Sequence, residues 1–121
     1  MVKVFHTALA LTLLGASWGA WAEMNDSHTG NGLITACKAA VAGMDTDRGM
    51  GVEGGYCVGL VSGVADTFDR LSFCLPGGGA YGQNVRVVHK YLQENPAELQ
   101  KSDTILVAKA LAAAWPCPKR P

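Results

Sequence analysis

The chain has 121 residues, with ten basic and ten acidic side chains that leave no formal net charge. That balance excludes the basic patch or stripe of an electrostatic nucleic-acid binder, and the length allows one domain with a single core and little surplus stability.

Residues 1–22, MVKVFHTALALTLLGASWGAWA, combine an early cation (Lys3), an apolar run from Val4 to about Leu14 and small residues ending in Ala20-Trp21-Ala22. This is the layout of a secretory signal peptide, with cleavage expected after Ala22. The apolar run is shorter than the ~20 residues a membrane span needs. The later apolar stretch carries Asp66, Asp69 and Arg70, so no membrane association is expected once the signal is removed. The mature chain is expected to be exported and about 99 residues long, with a charge of about minus one.

Residues 23–31, EMNDSHTGN, are polar and lack a hydrophobic period, which predicts a flexible N-terminal tail and a helical domain over 32–121. In LITACKAAVAGM, Leu33, Ile34, Cys37, Ala40, Val41 and Met44 recur at helical spacings and predict a first helix that stops near Gly43. Gly49, Gly51, Gly54 and Gly55 then predict a surface loop. Cys57, Leu60, Val61, Val64, Phe68 and Leu71 form the core-facing stripe of a second helix. Beside that stripe, Gly55, Gly59 and Gly63 make a ridge without side chains that lets another backbone approach, within the domain or across a homodimer. Internal packing is the expected use.

A third helix is predicted through QNVRVVHKYLQE, with Val85, Val88 and Leu92 on one face. Asn95-Pro96-Ala97-Glu98 looks like an N-cap, a proline at the first helical position and an acid at the third, so a fourth helix is predicted from Pro96 to the break at Pro116. The expected architecture is all-α, a small four-helix domain stabilised by two disulfides.

Cys37, Cys57, Cys74 and Cys117 all lie in the mature part, and an even count in a small exported domain reads as crosslinks. A zinc site is disfavoured, because neither C-x-x-C nor H-x-x-x-H spacing occurs. Cys57 and Cys74 bracket the second helix, ~25 Å apart at 1.5 Å per residue, beyond disulfide reach. Cys74 before the third helix and Cys117 after the fourth fall at neighbouring ends of a hairpin. The favoured pairing is Cys74 with Cys117 and Cys37 with Cys57. The crossed pairing, Cys37 with Cys74 and Cys57 with Cys117, stays open.

PGGGAYGQ, at residues 76–83, spells G-x-G-x-x-G, but a nucleotide cradle needs a strand before the glycines and a parallel strand after the helix, and neither is predicted. The segment reads as a surface connector. Ser62 is off-centre for G-x-S-x-G and falls within a helix, and His28 and His89 read as exposed histidines. Asp66 and Asp69 beside Arg70 read as a solvated face. Asp45-Thr46-Asp47 starts like a calcium loop, but the glycine and glutamate sit at the wrong offsets. No catalytic, cofactor-binding or metal-ligating residues are assigned, and no enzyme activity is expected.

Four landmarks in order, GGYCVGLVSGVAD, FCLPGGGAYGQ, VVHKYLQENP and AKALAAAWPC, resemble the Rap/Tai family of exported helical immunity proteins. The resemblance spans roughly Gly32 to Cys117. It implies a periplasmic domain, often a homodimer, that binds a cognate peptidoglycan amidase effector of type VI secretion and blocks its cleft. The triple glycine at 77–79 departs from the family's usual larger residues there. Exposed loops on rigid scaffolds are where partner contacts concentrate, which nominates Asp45, Asp47, Arg48 and Glu53 in one loop and Tyr81 and Gln83 at the other. The alternative reading is a periplasmic holdase chaperone or stress protein.

Overall fold

The computed structural model describes residues 27–77 and 80–120, so the expected signal peptide lies outside the described residues. Among the described residues four α-helices follow one another, α1 (Gly30–Asp45), α2 (Gly51–Phe68), α3 (Tyr81–Glu94) and α4 (Asp103–Ala114), with a 3₁₀ turn at Pro96–Glu98 between the last two. The all-α expectation and the favoured pairing both hold: Cys37–Cys57 joins α1 to α2 and Cys74–Cys117 ties the segment after α2 to the chain end.

Apolar residues at helical spacing converge on one core. Leu33, Val61, Val85, Val88, Leu106 and Leu111 are fully buried, and Phe73 joins them from the connection between α2 and α3. Burying a side chain of this size contributes about 1.5–3 kcal/mol.

Several boundaries differ from the sequence-based expectation, each for a tertiary reason. Helix α1 starts at Gly30, before residue 32, because its first N–H groups have no partner within the helix and find carbonyls elsewhere: Gly30 N donates to Lys101 O and Asn31 N to Leu99 O, both at 3.0 Å. That contact also breaks the expected fourth helix. The carbonyls of Leu99 and Lys101 go to α1 rather than to a continuing helix, and Ser102 is extended at ψ 134°, so only Pro96–Glu98 form a short turn and α4 starts at Asp103. Asn95 does not cap that turn; its Nδ2 donates to Tyr91 O at 2.8 Å and closes the end of α3. Gly30 is required at the crossing, since a Cβ there would lie 2.5 Å from Leu106 Cδ1 and 2.8 Å from Leu99 Cα.

Helix α2 begins at Gly51, inside the expected loop, and so holds Glu53, Gly54 and Gly55. Packing overrides propensity here. A Cβ on Gly54 would sit 2.6 Å from Met50 Cβ and 3.0 Å from Ala40 N, so the bare backbone allows α1 and α2 to close together. The glycine ridge is the converse case. Gly55, Gly59 and Gly63 are exposed, and a Cβ on any of them would meet nothing within 4 Å, so the expected internal packing is wrong. At its far end α2 stops at Phe68, leaving Leu71 outside the core at 77% exposure.

Glu98 staples the broken region together. Its carboxylate accepts from Tyr91 OH at 2.7 Å, Lys101 Nζ at 2.8 Å and Lys109 Nζ at 2.5 Å. Lys101, then Lys109 and Tyr91, hold its pKa down to about 2 against an ordinary 4.5. A carboxylate depressed on folding stabilises the fold above its unfolded pKa and loses that contribution as pH falls through the folded value. Glu98→Gln should therefore flatten the loss of thermal stability between about pH 4.5 and about pH 2. Melts at stepped pH that keep the wild-type slope would remove Glu98 from the acid response.

Candidate functional site

The end of α1, at Met44 and Asp45, lies against the first part of α3, at Gly82 and Arg86. Asp45 closes α1 and pairs with Arg86 of α3 at 2.5 Å, with both side chains about half exposed. Arg86 holds the Asp45 carboxyl below its usual range. One residue earlier, Met44 Sδ lies where a Cβ on Gly82 would come within 3.3 Å, so the small residue lets the start of α3 sit against the end of α1. Asp47 and Arg48 are exposed in the turn before Gly49, whose φ of 78° suits a residue without a side chain. Tyr81 and Gln83 are exposed too, in the first turn of α3 rather than in a loop, and Tyr81 OH donates to Asp66 Oδ2 at 3.3 Å. The result is a mixed polar and aromatic end with two acids, two cations, an amide and one exposed ring.

Glu53 is not part of that end. It lies in the first turn of α2 and lines a groove of about 790 Å³ with Ser27, His28, Asn31, Thr35, Val52 and Tyr56. Beneath the groove, Tyr56 OH donates to Asp103 Oδ2 in a short hydrogen bond, and His28 Nδ1 lies 3.2 Å from the hydroxyl and 3.7 Å from the same carboxylate oxygen. Asp103 is buried, and its other oxygen accepts Thr104 N at 2.6 Å. Burial first, and then the Asp103 hydrogen bond, push the Tyr56 phenol up to about 12, so it stays a neutral donor. Its chemistry is that of a clasp. Asp103 N donates to His28 O at 3.1 Å, so side chains and backbone together hold residues 28–31 against the start of α4.

His28 was expected in a loose tail, Tyr56 entered only as part of the GGYCVGLVSGVAD landmark with no role assigned, and Asp103 was not singled out from sequence. No local signal could have found them, since the three stand 28 and 47 residues apart and meet only through the fold. His89 is half-buried, and burial, aided by Lys38, pulls its pKa down. The four cysteines are consumed as disulfides. Among the described residues no group of three or more His, Cys, Asp or Glu side chains could hold a metal ion, and no helix is long and apolar enough to cross a membrane. Gly77 lies in the connector to α3 with no strand before it, so the letters of a nucleotide fingerprint lack its scaffold.

Fold and surface define a small helical domain clamped by two disulfides, with polar and aromatic contact surfaces. The chain belongs to the Rap1a immunity proteins, whose family model matches residues 29–117. Membership implies binding of a cognate type VI secretion effector. No curated protein and no solved structure matches the chain.

Proposed function

We propose that this protein is exported to the periplasm, loses residues 1–22 as a signal peptide, and there binds and inhibits a cell-wall amidase effector without catalysis of its own. The observation that carries this reading is the family match over residues 29–117. The two disulfides support the compartment, because such bonds persist in oxidising environments. The contact surface is the end of the bundle that holds Asp45, Asp47, Arg48, Tyr81 and Gln83. Glu53 belongs to a separate rim.

The test is inhibition of peptidoglycan hydrolysis by any amidase found encoded beside this gene, with purified proteins mixed in equal amounts. An amidase that keeps full activity and forms no complex would sink the assignment.

A homodimer is part of the same proposal, with the ridge of α2 as its surface. Each glycine in a helix interior costs about 0.5–1 kcal/mol relative to alanine. Nothing within the domain is gained from Gly55, Gly59 and Gly63, since all three face open space. The spacing is also self-complementary: a two-fold axis at Gly59 sets Gly55 of one copy against Gly63 of the other. Gly59→Ala should therefore raise the stability of the monomer by about 0.5–1 kcal/mol while weakening self-association. Sedimentation showing an alanine variant that associates as tightly as wild type would take the ridge out of the interface.

A further inference from the structure

The two disulfides stand in opposite surroundings. Cys37 and Cys57 are both 0% exposed and belong to the same buried cluster as Leu33, Ala40 and Val61. An external thiolate reaches that bond only when α1 and α2 separate. The second bond lies at the surface: Cys117 is exposed and Cys74 is half-buried. Pro116, Pro118, Lys119 and Arg120 are exposed as well, and none of them lies in a helix, so the chain on both sides of Cys117 is open to a partner. Thiol–disulfide exchange depends on access and on which sulfur is attacked, and here both favour Cys117.

The fold also holds the two ends of the exposed bond by means that do not involve sulfur. The neighbours of Cys74, Phe73 and Leu75, are both buried, and Leu75 N donates to Asp69 Oδ1 at 2.9 Å. On the other side Trp115 N donates to Leu111 O, and Trp115 O accepts the N–H of Cys74, each at 2.9 Å, with Leu111 fully buried. Breaking the sulfur link therefore releases the chain beyond Trp115 and leaves the core cluster closed. Cys74 stays in place, ready for the bond to be made again.

We propose that Cys74–Cys117 is a thiol-exchange site on the folded protein, entered at Cys117 by a dithiol oxidoreductase, while Cys37–Cys57 stays inert until the helices separate. The attacking thiolate of the oxidoreductase forms a bond to Cys117 Sγ, the Cys74–Cys117 bond breaks, and its electron pair leaves on Cys74 Sγ, which takes a proton from water. The second thiol of the oxidoreductase loses its proton and attacks its own sulfur in the mixed disulfide, expelling Cys117 as a thiolate that is protonated in turn. Two electrons pass to the protein, and the two thiols of the oxidoreductase become its disulfide. The same steps reversed close the bond after the helices have packed. The buried bond must instead be made before or during the closure of α1 on α2, so the two bonds form in a fixed order. This chemistry does not depend on the immunity reading.

The test is reduction of the purified, fully oxidised protein by dithiothreitol, with thiols alkylated at intervals and both bonds followed by peptide mass, in buffer and in urea below the unfolding transition. Cys74–Cys117 should open at least about tenfold faster than Cys37–Cys57. Its rate should not change with urea, whereas loss of Cys37–Cys57 should speed up, because only the buried bond waits for an opening that exposes new surface. An oxidoreductase whose second cysteine is replaced by alanine should be trapped as a mixed disulfide on Cys117. Two bonds lost together, or a Cys74–Cys117 rate that climbs with urea as the buried one does, would overturn exchange on the folded protein. A trapped adduct on Cys74, or no adduct, would overturn entry at Cys117. Since no arm uses the effector, these outcomes leave the immunity reading as it stands.

Discussion

Replacing Cys74 and Cys117 together by alanine should lower the unfolding free energy by about 4 kcal/mol, and replacing Cys37 and Cys57 by about 3 kcal/mol. The two bonds close loops of 43 and 20 residues, and in the chain-entropy account the longer loop restricts the unfolded state more. A domain of this size has stability at the low end of about 5–15 kcal/mol, so losing both bonds should leave a population that unfolds near physiological temperature. The bonds differ in kind. Cys37 and Cys57 are fully buried in the core between α1 and α2, so their removal also leaves a packing gap. Cys74 and Cys117 sit at the surface, where the hydrogen bond from Cys74 N to Trp115 O keeps the ends close after the sulfur link is gone. Denaturant melts of the two double variants, with and without reductant on wild type, measure both. If the Cys74–Cys117 variant melted within a degree or two of wild type, the chain end would not be part of the cooperative unit.

The disulfide pairing was legible in part: the stretch of α2 from Cys57 to Phe68 holds Cys57 and Cys74 apart and excludes that pair, while the crossed pairing stayed open until the fold set Cys37 beside Cys57 and Cys74 beside Cys117. Helix existence was legible, since periodic Leu, Val and Ala positions record which face is buried. The boundaries were not. Gly54 reads as a helix breaker until Ala40 and Met50 are seen against it, and Pro96 reads as the start of a long helix until Gly30 and Asn31 claim the carbonyls of Lys101 and Leu99. The ridge at Gly55, Gly59 and Gly63 gave the spacing but not the side it faces, because a glycine adds almost nothing to a hydrophobic period. The candidate site divided similarly. Asp45 meets α3, the helix whose first turn carries Tyr81 and Gln83, through its pair with Arg86, whereas Glu53 left the group once α2 began earlier than its glycines suggest.

Asn84→Leu should make the protein more stable. Asn84 lies in the first turn of α3 on the side that carries Val85 and Val88 into the core, and it is 1% exposed. Among the described residues no hydrogen-bond partner reaches its Nδ2 or Oδ1. A buried amide without partners costs about 1–3 kcal/mol, and an apolar side chain of similar size removes that penalty and gains burial. The expected result is a gain of about 1–3 kcal/mol, and at 4–8 °C per kcal/mol for a domain of this size the melting temperature should rise by at least about 4 °C. Asn84→Asp should move the other way, since it places a charge where the amide already lacks partners. A leucine variant that melts below wild type would mean the pocket is shaped for the amide. Asn84 also adjoins Gln83 and lies three residues from Tyr81, at the end proposed to meet the effector. If the more stable leucine variant bound the amidase as wild type does, the amide would have no part in that contact; if it melted higher but bound more weakly, Asn84 would be a group held unsatisfied in the free protein and used in the complex.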